Sequence, residues 1–573
     1  MASGKVHFEI FFKKHPKADW VLVEALNERS DAIARADRLV AQAPRGSARV
    51  TRETWNDASG TFSTVTIHEV GAERYSVPDA KTGEASLPCV TPDDLAGPAA
   101  RDTVRRVLSG WLERQEVCPL ELLYRPDLIE ALDACESDLQ HAIQKVAIAR
   151  SQNSDASVHA YVRLITGLVE KGVEKARQDA RRKPQDSRTA SFRELTEKIY
   201  AEGSAETRLR RAIAERLANA PGMARKAEML LDFHDDLPDE PEAASFAARQ
   251  ADAFLAEMLS FDRALNQIVG QSRDLGSHVE RLTSVFAGAQ THPSMTGAPD
   301  NARRLAAKFG ASQLPDSKGE IARRVLDALR QPKRFKPDNV FEEIALARAL
   351  AQRLIAASGE HLNPAALVEA FTVRSARLLS PESIEEALKD AGSPGEEIAR
   401  LLSMEDNLVG EQNKVKLASY VRAKLTGQKT ISWFVSGPGQ PFERLARLAA
   451  LQKRALKGSF PESARLEMSG AFDQLGMAVI HENRLFDRIT ASGLPALDRA
   501  AGLLRLAAQD ILPLGSCQQD AQARAMRILS SEMGREEARA ADGPAKLQEL
   551  QGLLARIQPA TAATGPADAG GPV

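Results

Sequence analysis

Residues 242–288 read EAASFAARQADAFLAEMLSFDRALNQIVGQSRDLGSHVERLTSVFAG. From Phe254 the large apolar residues fall at alternating gaps of four and three: Phe254, Met258, Phe261, Leu265, Ile268, then polar Ser272, then Leu275, Val279, Leu282 and Phe286. That spacing places them on one stripe of an α-helix, which turns every 3.6 residues or so. Read as one continuous helix, the stretch would be on the order of 70 Å long. Pro241 suits a first helical turn, with Asp239, Glu240 and Glu242 at the positive end of the helix dipole. Gly270 and Gly276 are its weak points.

A heptad stripe also invites a coiled coil. The flanking positions argue for a bundle core instead. Leu255, Asp262, Val269, Gly276 and Thr283 on one side face Glu257, Ala264, Gln271, His278 and Val285 on the other, without opposed charged rows. A second stripe repeats the spacing downstream: Met468, Phe472, Leu475, Val479, Glu482, Phe486 and Ile489. The pattern leaves open whether the two stripes pack on each other or on separate neighbours.

Outward from these stripes, the N-terminal 72 residues have a different texture. Val6, Phe8, Ile10 and Phe12 alternate with His7, Glu9, Phe11 and Lys13, a strand signature. A turn at His15-Pro16-Lys17, a strand from Trp20 to Ala25 and a helix burying Ile33, Ala36 and Val40 follow. Pro44-Arg45-Gly46 stops that helix, and strands Ala48 to Trp55 and Thr61 to Val70 flank the hairpin residues Asn56 to Gly60. The fold class expected is therefore mainly α: a small ββαββ module, then a large multi-helix region. Domain boundaries are expected at residues 1–72 (module), 73–98 (linker), 99–182, 190–290, 291–340 and 341–558 (helical segments), with a disordered tail at 559–573.

Composition narrows the function. With 76 basic and 78 acidic residues the net charge is only -2, so no strong field draws the chain to nucleic acid or anionic lipid. The four cysteines, Cys89, Cys118, Cys135 and Cys517, form no CxxC pair, which suits reduced thiols in a cytoplasmic chain. No membrane span and no signal peptide is expected. The Ala- and Arg-rich usage suggests a bacterial source.

The sharpest enzymatic candidate is His234-Asp235, an adjacent pair able to ligate a hydrolytic metal as in HD-type phosphohydrolases. Its partner ligands are missing, and an acidic loop feeding the next helix accounts for the charges. Thr426-Gly427-Gln428-Lys429-Thr430 lacks the glycines of a phosphate loop, Ser436-Gly437-Pro438-Gly439 lacks a lysine, and His481-Glu482 lacks a second His. Basic clusters at Arg181–Lys183, at Arg208, Arg210 and Arg211, and at Lys333, Arg334 and Lys336 read as solvated faces. The expectation is a non-enzymatic regulatory or scaffolding protein, with no cofactor, that offers helical grooves to a protein partner. A metal-dependent phosphohydrolase and a nucleic-acid binder are the alternatives. Oligomeric state stays open.

Overall fold

The computed structural model describes residues 6–14, 20–43, 46–56, 61–71, 89, 91–152, 156–181, 191–201, 205–337 and 339–557. The chain divides into two compact units, residues 1–88 with 143–163, and residues 89–142 with 164–573. Outside the described residues lie the His15-Pro16-Lys17 turn, Pro44-Arg45, the hairpin tip 57–60, most of the expected linker, the 182–188 boundary and the C-terminal tail.

In the first unit, β1 (Val6–Lys13), β2 (Val21–Leu26), α1 (Arg29–Gln42), β3 (Ser47–Asn56) and β4 (Thr61–Gly71) form the expected ββαββ order. The antiparallel sheet runs β2-β1-β3-β4. Period-two patterning fixes its register: Ile10 pairs with Val50 and Phe12 with Ala48, and Phe8, Ile10, Ala48 and Val50 bury Ala32 and Ala36 of α1. Ala32 takes the inner position predicted for Ile33, which is half-buried like Val40. β2 is an edge strand with apolar side chains in water, Val21 at 61%, Leu22 at 50% and Val23 at 41% exposure.

In the second unit the chain is helical among the described residues, apart from one isolated bridge between Gly359 and Leu362. A 3-10 turn at Pro92–Ala96 orders the end of the expected linker. Prolines at first-turn positions then set short helices, α2 (Pro98–Val107), α4 (Pro119–Tyr124) and α5 (Pro126–Ala134), with α3 (Ser109–Gln115) between them. α6 (Glu136–Gln152) and α7 (Val158–Arg181) follow. The predicted capping box opens α8 (Phe192–Tyr200): Glu194 N–H donates to Ser191 Oγ at 3.1 Å and Ser191 N–H to Glu194 Oε2 at 3.2 Å. α9 (Ala205–Leu217) and α10 (Gly222–Asp235) lead to the central stretch.

That stretch is three helices rather than one: α11 (Pro241–Leu259), α12 (Asp262–Val269) and α13 (Leu275–Phe286). Ser260 ends α11, its Oγ donating to Glu257 O at 2.6 Å, and Phe261 is extended. Gly270 supplies the second break at φ +97°, and Asp274 caps α13 by accepting from Ser277 N–H at 2.7 Å. Gly276 breaks nothing; it sits in the first turn of α13, where a Cβ would meet Phe335 O at 2.8 Å. The apolar stripe is buried throughout despite the breaks.

α14 (Asp300–Gly310), α15 (Pro315–Arg330), α16 (Val340–Ala356) and α17 (Pro364–Leu378) complete a first hydrophobic core running from Leu108 to Phe371. A second core, from Val340 to Ile557, is built by α18 (Pro381–Leu388), α19 (Pro394–Met404), α20 (Glu411–Thr426), α21 (Gln428–Ser436) and α22 (Pro441–Lys457). It continues through α23 (Glu462–Glu482), α24 (Leu485–Thr490), α25 (Ala496–Ala508), α26 (Ser516–Ser530), α27 (Glu532–Arg539) and α28 (Gly543–Arg556). The second stripe, expected on one helix over 461–489, is likewise divided, at Arg484 with φ +50°. Each stripe has its own neighbours: α11 packs on α10 and α15, α23 on α20 and α22. No described helix is long and apolar enough to cross a membrane.

Candidate functional site

His234 and Asp235 end α10, where the sequence places them, but they face cations. Asp235 Oδ2 accepts from Arg304 at 2.7 Å, its other oxygen pairs with Lys308, and His234 Nδ1 lies 3.1 Å from Lys308 Nζ. Arg304 also pairs with Asp232 at 2.9 Å. Burial and the Lys308 charge push the His234 imidazole below its ordinary range, while Lys308 and Arg304 outweigh burial and hold the Asp235 carboxyl low. Two cations therefore occupy the space a metal ion would need. Among the described residues no group of three or more His, Cys, Asp or Glu comes together to hold one. What this pair does is tie α10 to α14.

The other motifs resolve into helix ends. Lys429 and Thr430 lie in the first turn of α21, with Lys429 reaching Glu397 at 3.4 Å. The Ser436 to Gly439 turn is clamped by buried Arg444, which donates to the carbonyls of Phe434, Val435, Gly437 and Gly439 at 2.7–2.9 Å. His481 and Glu482 are exposed at the end of α23. Of the basic clusters, Arg182 and Lys183 lie outside the described residues. Arg210 pairs with Glu206 at 2.6 Å and Arg211 with Glu215 at 2.9 Å. Arg334 pairs with Glu343 and Glu386, and Lys336 with Asp274. Pairing with acids from neighbouring turns and helices leaves these clusters poorly placed to neutralise phosphates.

The sequence reading missed the largest concavity. A groove of about 1010 Å³ opens between α2, α4, α5, α7 and α9. Its floor is the buried side chains of Leu108, Leu122, Leu132 and Val173. Leu95, Val104, Leu123, Ile129, Leu139 and Val169 line it while only half-buried, so apolar surface faces the opening. Its charges sit as ion pairs: Lys175 with Asp93, Arg210 with Glu206, Arg211 with Glu215. The proline breaks at Pro119 and Pro126 make the groove, because they turn α4 and α5 away from one straight helix.

Beside it runs a buried polar network that holds the short α4 in place. Glu121 Oε1 accepts from Lys226 Nζ at 2.7 Å, its other oxygen from Cys118 N–H at 3.2 Å. Glu257 pairs with Arg101 at 2.7 Å and accepts from Leu120 N–H at 2.8 Å. Burial pushes the Glu121 and Glu257 carboxyls and the Cys118 thiol upward, against the pull of Lys226 and Arg101. A sealed thiol of this kind is unreactive. The network fixes the wall of the groove and has no opening of its own to a substrate.

No family model, curated protein or solved structure matches the chain.

Proposed function

We propose that this chain is a non-enzymatic regulatory or scaffolding protein that receives a helical segment of a protein partner in the groove between α2, α4, α5, α7 and α9. The observation that carries this reading is the set of half-buried aliphatic side chains, Leu95, Val104, Leu123, Ile129, Leu139 and Val169, gathered in one concave surface that the chain's own helices leave unfilled. The volume of about 1010 Å³ is at the top of the range for small-molecule sites. The rim charges neutralise one another, so apolar area and shape, rather than a charged head group, select the occupant.

A photo-crosslinking residue at Ile129 or Val169 of the full chain, expressed in its native cells, tests this. The expected result is one reproducible protein adduct from both positions, lost when Leu139 is replaced by Glu. Adducts no different from those at an exposed control position such as Glu130 would refute it, as would a small-molecule mass shift in place of a protein.

A further inference from the structure

The two hydrophobic cores are two copies of one arrangement. Glu462, the first residue of α23, lies 221 positions after Pro241, the first residue of α11. The same offset carries α10 onto α22, α12 onto α24, α13 onto α25, and the preceding α8 and α9 onto α20 and α21. Along 241–259 and 462–480 the buried, half-buried and exposed positions coincide at all but two of the 19 residues. One polar contact repeats atom for atom. Asp252 of α11 accepts from Asp316 N–H at 2.7 Å and Ser317 N–H at 3.0 Å, capping α15. Asp473 of α23 accepts from Ser516 N–H at 2.7 Å and Cys517 N–H at 2.9 Å, capping α26. Helix order, burial and a cross-helix cap all agree, so α15 corresponds to α26.

The copies differ at one place. Between α13 and α15 the first copy carries α14, which packs on α10, α12 and α13. The second copy joins α25 to α26 by residues 509–515 alone. Pro513 of this link fills the end of the seat beside α23, against Gly476. The rest is uncovered: where Ile268, Val269 and Val285 are sealed beneath α14, their counterparts Ile489, Thr490 and Leu506 are half-exposed. The charge at the rim is also reversed. Asp232 and Asp236 of α10 become Lys453 and Lys457 of α22, and Asp235 becomes half-exposed Leu456. α14 meets the acidic rim with Arg304 and Lys308.

We propose that the open seat formed by α22, α24 and α25 is a docking groove for an amphipathic helix of a partner protein, bearing carboxylates where α14 bears Arg304 and Lys308. The reversed rim excludes a basic helix of α14's own kind and attracts an acidic one. This surface is separate from the groove at α4 and α5, so either can fail without the other.

Two synthetic peptides of residues 298–311 test it against the full chain at low salt, one native in sequence and one carrying Arg304→Glu and Lys308→Glu. The charge-reversed peptide should bind about tenfold more tightly, lose binding to a Leu506→Glu variant, and lose its advantage over the native peptide when the chain carries Lys453→Glu and Lys457→Glu. Equal affinities, no binding of either peptide, or binding indifferent to both sets of substitutions would overturn the proposal. The two lysines are surface residues, so that variant reports even if Leu506→Glu disturbs folding.

Discussion

Asp252 shows how much rests on a single buried side chain. It sits in the apolar face of α11, and burial outweighs its N–H donors and pushes its pKa from 3.8 to about 6. A raised folded-state pKa means that the folded chain takes up a proton between about pH 6 and 3.8 that the unfolded chain does not yet hold. The contribution therefore makes stability rise as pH falls through that window, by up to about 3 kcal/mol. Asp235, Glu397 and Glu405, held low by neighbouring cations and hydroxyls, act oppositely, and their stabilisation is lost below about pH 4.5. Urea unfolding followed between pH 7 and 5 should accordingly show a rise in the wild type that Asp252→Asn flattens; parallel curves for the two proteins would contradict the assignment. Nothing in the sequence marks this residue. Its partners Asp316 and Ser317 are more than 60 positions away, and local patterning reads Asp252 as a polar residue beside the stripe. Arg374 is hidden in the same way: it looks like a surface cation of α17, yet it is buried, donating to the carbonyls of Ala328, Leu329 and Lys333 at the end of α15.

For the helices, periodicity told which side chains are inside but not where the backbone turns. Phe261 keeps its place on the stripe although it lies between two helices, because an extended residue after Ser260 returns the chain to the same core. Of the two glycines singled out beforehand, only Gly270 ends a helix, and its positive φ is what the position requires. A Cβ there would also come within 2.7 Å of Pro299 Cδ and of the Arg281 guanidinium. Gly270→Ala should cost about 2 kcal/mol, from backbone strain and the displaced contact together, measurable as a lower urea midpoint with an unchanged slope. Full wild-type stability would mean that the break does not need glycine. The repeat of the stripe was visible as spacing, whereas its meaning was not. Phe254 corresponds to Leu475 and Phe261 to Glu482, so the two copies share positions of burial far more than kinds of side chain. The groove at α4 and α5 was legible only as two X-Pro breaks; its walls come from helices separated by tens of residues.

Across the whole second unit, α16 joins the two cores. Val340 and Ile344 near its start belong to the second core, while Ala347, Leu350 and Leu354 belong to the first. Leu350→Ala should cost about 2–4 kcal/mol by leaving a cavity. Because the helix is shared, amide exchange should quicken in α18 and α20 as well as in α13 and α15; an effect confined to the first core would show that the halves open independently. The mainly helical class and the N-terminal ββαββ order were readable from period and turn chemistry, because both are local. The division into two related cores was not, since it depends on contacts across hundreds of residues.

The edge strand β2 has a different consequence. Its outer backbone amides and carbonyls have no neighbouring strand among the described residues, and the bare valines beside them make it adhesive to any extended chain. Only Glu24 interrupts the greasy run, and that carboxylate is already engaged with Arg35 at 3.1 Å. At high concentration, then, it is the smallest part of the molecule that governs its colloidal behaviour: strand-to-strand stacking would begin there while the helical bulk stayed intact.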